Sequence, residues 1–254
     1  MQQLKKKHWS FQALALIGIM ICMSFAFTRA NSTDANKHSG NVVTATVNKA
    51  KSLIEQKMGL YDSLELETKG LSREAFAYAL AGYNNLLSTG KIVKDNLLSI
   101  LDFSMPSGKK RLFVIDIASG ELVYNTYAAH GRNSGSAMAT SFSNQPNSFK
   151  SSLGFYITGE TYNGKHGESL RLNGEEKGFN DNALARGIVI HSAAYADESI
   201  VASQGFIGRS QGCPALPQNI SKEVISTIKN GSCLFLYSPD KYYVSHSRLL
   251  NDGI

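Results

Sequence analysis

The chain has 254 residues, 43% of them hydrophobic and 18% charged, and a formal charge of +6. Most of that excess sits in Lys5, Lys6, Lys7 and Arg29, so residues 31–254 carry only +2 and show no basic–aromatic interleaving, which argues against nucleic acid as a partner. Three cysteines exclude a disulfide framework, and the length suits one sizeable domain with an appendage.

Residues 1–30 read as a signal peptide. Lys5-Lys6-Lys7-His8 makes a basic n-region, Phe11–Phe27 is an almost uncharged apolar run, and Thr28-Arg29-Ala30 supplies small residues where a signal peptidase reads. The run is near the lower length for a membrane span, so an uncleaved anchor is the alternative. Ile21 before Cys22 is too bulky for a lipobox. The expectation is an exported, periplasmic or cell-envelope protein, with a membrane involved only through this segment before cleavage.

Residues 31–41 are small and polar and read as a disordered leader. A helical segment is predicted over 42–100. Val43, Val47, Ala50, Ile54 and Met58 recur at helical steps over Val42–Leu60. Leu71–Leu87 is the stronger helix, opened by Ser72, with Gly90 as its stop. Asn96–Asp102 reads as a short apolar turn.

From Lys110 the period becomes two. Arg111–Ile117, a Ser119-Gly120 turn and Glu121–Ala129 predict a β-hairpin. Gly154–Thr158, Gly187–His191 and Cys233–Tyr237 read as strands, and Pro217–Asn230 as a helix stopped by Gly231. His130–Ser152 and Tyr162–Asp181 read as long loops, which in compact domains are functional or mobile. A domain is thus expected over 101–240, with a tail at 241–254.

Gly187–Leu216 carries the chemistry. His191 closes the β-branched run Ile188-Val189-Ile190, and Cys213 lies in Gly212-Cys213-Pro214, through which no regular element continues easily. A thiol needs a base to become a nucleophile near neutral pH, and imidazole is the usual one. The alternative for Cys213 is a disulfide with Cys233. Cys233 sits in Ser232–Tyr237, where a small buried thiol packs well, so Cys213 is expected to be free. His130, His191 and Cys213 would suit zinc by ligand type, yet no short ligand-pair spacing supports a metal. No metal and no cofactor is expected.

Five ordered blocks extend this reading: Ala129-His130-Gly131-Arg132-Asn133-Ser134-Gly135, Phe142-Ser143-Asn144, Ser151-Ser152-Leu153-Gly154, Ile190-His191-Ser192-Ala193, and Gly208-Arg209-Ser210-Gln211-Gly212-Cys213-Pro214-Ala215-Leu216. From about Leu71 to Tyr237 the chain resembles the murein L,D-transpeptidase catalytic domain family, in its Gly-Cys-Pro-Ala-Leu branch. The resemblance implies a mainly β catalytic domain with a C-terminal helix after a small helical segment, α+β overall. It implies peptidoglycan stem peptides as partners, a cysteine attack on the bond after meso-diaminopimelate, and 3–3 cross-links made through a thioester. The same site used with water would give an L,D-carboxypeptidase or cross-link hydrolase. A lapsed site would leave a non-catalytic peptidoglycan-binding module.

By this resemblance Cys213 is the nucleophile, His191 the base, and the main-chain carbonyl of Ser192 the group that orients the imidazole. Gly212 and Cys213 are the candidate oxyanion amides. Arg209, Ser210 and His130 are candidates for substrate binding, Arg209 by its carboxylate-matching guanidinium. The commoner pattern has His before Gly-Cys and Arg two residues after the Cys, where this chain has Gln211 and Ala215.

Overall fold

The computed structural model describes residues 57–165 and 167–251. The signal segment, the leader and most of the first predicted helix lie outside them; residues 57–63 are helical. Helix α1 (Arg73–Ser88) starts where Ser72 predicts, its hydroxyl accepting from the Ala75 amide at 3.1 Å. It buries Ala75, Phe76, Ala79, Leu80, Tyr83 and Leu86 against the sheet. A Cβ on Gly82 would fall 2.0 Å from the Phe155 ring, so only glycine lets α1 lie this close.

Eight strands form one sheet: β1 (Leu97–Asp102), β2 (Leu112–Asp116), β3 (Glu121–Thr126), β4 (Gly154–Gly164), β5 (Gly167–Gly174), β6 (Val189–Ser192), β7 (Ala215–Leu216) and β8 (Cys233–Tyr237). Their order is β3-β2-β1-β8-β4-β5-β6-β7. β1 and β8 run parallel in the middle, as do β6 and β7 at one end. The predicted hairpin is the antiparallel β2–β3 pair, and the mainly β architecture stands.

Three expectations are corrected. Asn96–Asp102 is no turn: Leu97–Asp102 is a central strand buried along its whole length, so the helical segment does not extend to residue 100. Burial of both faces removes the alternation by which a strand is read from sequence. The loop predicted over Tyr162–Asp181 contains the end of β4 and all of β5, seven of whose residues pair with β4. The tail holds helices α4 (Lys241–His246) and α5 (Arg248–Asn251), with Tyr243 and Leu250 buried. Glu176 anchors it, accepting from the Ser247 hydroxyl and, at 2.9 Å, from the Tyr243 hydroxyl. The remaining helices are α2 (Glu198–Gln204) and α3 (Ser221–Ile228), the latter inside the predicted helix.

Candidate active site

The strand β6 presents His191 beside the short strand β7, with His191 opposite Ala215 in parallel register. This register places the turn Arg209–Pro214 next to the histidine. His191 and Cys213 line the same cleft of about 480 Å³. His191 is 3% exposed, and its Nδ1 lies 2.9 Å from the Ser192 carbonyl. A carbonyl only accepts, so Nδ1 carries the proton and the lone pair is on Nε2.

Cys213 and Cys233 are both free thiols, and Cys233 is buried in β8. The Cys213 sulfur lies 3.5 Å from the donating Val189 amide and 3.6 Å from the Gly187 carbonyl. Burial pushes the thiol up from its ordinary value, while the Val189 amide and the Arg186 charge pull it back part of the way. The resting Cys213 side chain is therefore a thiol rather than a thiolate.

The turn that carries Cys213 is fixed from three sides. Ser210 Oγ donates to the Cys213 carbonyl at 2.6 Å and accepts from the Gly212 amide at 3.0 Å. Ser151 Oγ donates to the Gly212 carbonyl at 3.2 Å and accepts from the Gly131 amide at 3.1 Å. Backbone bonds join Ser210 N to the His130 carbonyl at 2.9 Å and Arg132 N to the Ser210 carbonyl at 2.8 Å. Gly212 has φ of +124°, and a Cβ there would meet the Lys150 carbonyl oxygen at 2.8 Å. No L side chain fits that conformation and that contact together.

These contacts revise part of the predicted set. The Gly212 amide is taken by Ser210, which leaves the Cys213 amide, without a hydrogen bond among the described residues, as the better oxyanion donor. Ser210 reaches the cleft but is spent on the turn. His130 does not line the cleft. It is fully buried, with Arg111 Nη2 donating to its Nδ1 at 2.7 Å. Burial first, then the Arg111 charge, pull its imidazole down to about 4, so it is neutral and structural. Arg209 does line the cleft, its Nη1 donating to the carbonyls of Arg132 at 3.3 Å and Gly135 at 3.0 Å. Gln211 faces the cleft, while Ala215 is wholly buried in β7 and leaves no place for an arginine.

Sequence reasoning missed Arg132, Arg186, Lys165 and Tyr195, all of which line the cleft. Two of them had a signal: Arg132 stands in the His-Gly-Arg block, and Arg186 immediately precedes Gly187. Among the described residues no group of three or more His, Cys, Asp or Glu side chains converges as metal ligands would.

The family model described as the L,D-transpeptidase catalytic domain matches residues 67–237. The chain belongs to this family. Among solved structures, an L,D-transpeptidase from Mycobacterium smegmatis is similar at 15% identity and a TM-score of 0.37, over 56% of this chain and 59% of that one. An L,D-transpeptidase from Stackebrandtia nassauensis has 15% identity and a TM-score of 0.34, over 64% of this chain and 65% of that one. L,D-transpeptidase 3 from Mycobacterium tuberculosis has 12% identity and a TM-score of 0.36, over 56% and 61% respectively. The chain thus spans about three fifths of the length of these structures. No curated protein matches it.

Proposed function

We propose that the chain is an exported cysteine acyltransferase of the cell wall, a murein L,D-transpeptidase acting on peptidoglycan stem peptides. The observation that carries this reading is the placement of Cys213 and His191 in one cleft, with His191 held by Ser192 in the tautomer a base needs. His191 Nε2 takes the Cys213 proton as the sulfur attacks the carbonyl carbon of meso-diaminopimelate, in the peptide bond that joins it to D-alanine. The developing oxyanion is met by the Cys213 amide, a donor type worth about 3 kcal/mol. The C–N bond then breaks, His191 returns the proton to the leaving D-alanine amine, and a thioester remains. An amine from a second stem attacks the thioester and displaces the thiolate, giving a 3–3 cross-link.

The test is mass spectrometry of muropeptides after incubation of the protein with disaccharide tetrapeptide, with Cys213→Ala alongside. Dimers linked 3–3 that vanish in the variant are the expected result. Tripeptide alone would place water as the acceptor and make the protein an L,D-carboxypeptidase. Unchanged tetrapeptide with both proteins would refute the catalytic reading in favour of a binding module.

A further inference from the structure

The cleft around Cys213 is lined by Arg132, Lys165, Arg186 and Arg209 and, among the described residues, by no aspartate or glutamate. The ion pairs among the described residues are Arg73–Asp62, Lys91–Glu175 and Arg171–Glu160, so none of the four cations has an acidic partner. Like charges gathered in one concavity repel each other and focus a positive potential that an anion relieves. The cations divide by how free they are. Arg186 is committed: Nη2 donates to the Lys150 carbonyl at 2.7 Å and to Ser148 Oγ at 3.2 Å, while Nη1 donates to the Ser143 carbonyl at 2.8 Å and to Ser152 Oγ. It supplies fixed charge to the wall.

Arg132 and Arg209 are exposed and carry the spare donors. The Arg132 guanidinium stacks 4.1 Å from the Phe149 ring centre, which holds its plane, and its N–H groups have no protein acceptor among the described residues. Arg209 uses only Nη1, which leaves Nη2 and Nε for a ligand. A guanidinium held flat by an aromatic face with its fork unused is preorganised for bidentate carboxylate.

We propose that this cleft selects stem peptides whose carboxyl groups are free, with Arg132 and Arg209 as the specificity-determining residues, and discriminates against stems in which those carboxyls are amidated. This rests on the proposed reading of the site as one that takes peptidoglycan stems. A stem offers carboxylates on D-glutamate, on the second centre of diaminopimelate and on the terminal D-alanine. Amidation of the first two removes charge while barely changing shape, so the discrimination is electrostatic rather than steric.

The experiment measures binding and turnover separately. Full-length Cys213→Ala is titrated calorimetrically with tetrapeptide carrying free carboxyls and with the same peptide amidated on D-glutamate or diaminopimelate. Each amidation is expected to weaken binding about tenfold, the scale of a charge-assisted hydrogen bond at a half-open site. The gap should shrink on adding salt and in Arg132→Gln, whose side chain makes only the ring contact and whose loss leaves the fold intact. Equal binding of free and amidated peptides, or no binding of either, overturns the proposal. Wild-type turnover is then followed with both peptides. Charge-selective binding without turnover sustains the carboxylate selection and refutes the acyltransferase reading; turnover with no charge preference does the reverse.

Discussion

Two regions of this molecule each set an arginine and a histidine close to the Cys213 turn, and they do opposite things. Around Arg111 and His130 everything is buried. Arg111 donates to the carbonyls of Ala128 and Met105 and to His130 Nδ1, and burial pulls its guanidinium down to about 9. Around Arg186 and His191 the groups border a cleft, and the imidazole keeps its second nitrogen turned away from the carbonyl that orients it. What separates them is the setting: His130 is packed in the core against Arg111 and away from the cleft, whereas His191 lines the cleft that Cys213 also lines. An imidazole of the first kind acts as a strut, while one of the second kind stands where the proposed proton transfer needs it.

The largest effect that separates the two regions is on catalysis. Cys213→Ala is expected to lower the rate at least about 10⁴-fold, and His191→Gln about 10³-fold, in a muropeptide assay. Both variants should unfold within about 1 kcal/mol of the parent, since neither holds the core together. A stable, fully active His191→Gln protein would end its assignment as base.

Arg111→Met reverses that pattern. It strips the Ala128 and Met105 carbonyls of donors and removes the charge that faces Asp102, so a loss of about 3–5 kcal/mol is expected in denaturant unfolding. Activity per folded molecule should fall far less than in the cleft variants.

His130 sharpens the contrast through pH. Its folded-state value is about 4 against an ordinary 6.5, so between those limits the unfolded chain binds a proton that the native protein refuses. Stability is therefore full above pH 6.5 and falls as the pH drops toward 4, by roughly 3 kcal/mol if His130 acted alone. Asp102 and Glu176, whose carboxyls burial pushes up, act in the opposite sense at the acid end of that window. Unfolding curves across this range should lose most of their slope in His130→Gln.

The smallest change concerns the turn that joins the two regions. Ser210→Ala removes the hydroxyl bridging the Gly212 amide and the Cys213 carbonyl, and is expected to cost about 1–2 kcal/mol. Its kcat should fall about tenfold with KM little changed, because the nucleophile loses its support while the cations of the cleft remain. A KM effect alone would instead make Ser210 a substrate contact.

Much of this arrangement was legible in the sequence. The capped helix after Ser72, the hairpin from Lys110 and the strand that carries His191, which runs Val189–Ser192, follow from periodicity and punctuation. The Cys213 turn follows from glycine and proline. β1 was not legible because its residues are buried on both faces, and β5 because Gly167 and Gly174 bound a mostly polar run that reads as loop. The His-Gly-Arg block was only half readable. Its residue types announce a site, but nothing local says that His130 points into the core toward Arg111 while Arg132 lines the cleft. Arg186 takes its place from contacts with residues more than thirty positions away, which no short motif records.

The central place of β8 has a consequence for how the protein comes into being. This strand, the last in chain order of the eight in the sheet, lies between β1 and β4 and pairs with both. A nascent chain ending before Cys233 already contains the thiol, the imidazole and the turn, and the Ala129–Ala215 and His130–Ser210 backbone bonds that tie the turn to the segment after β3, yet lacks the strand that fills the middle of the sheet. Long-range closure of this kind is slow relative to local helix and hairpin formation. The sheet should thus close only once β8 has been made, after the segments that carry Cys213 and His191.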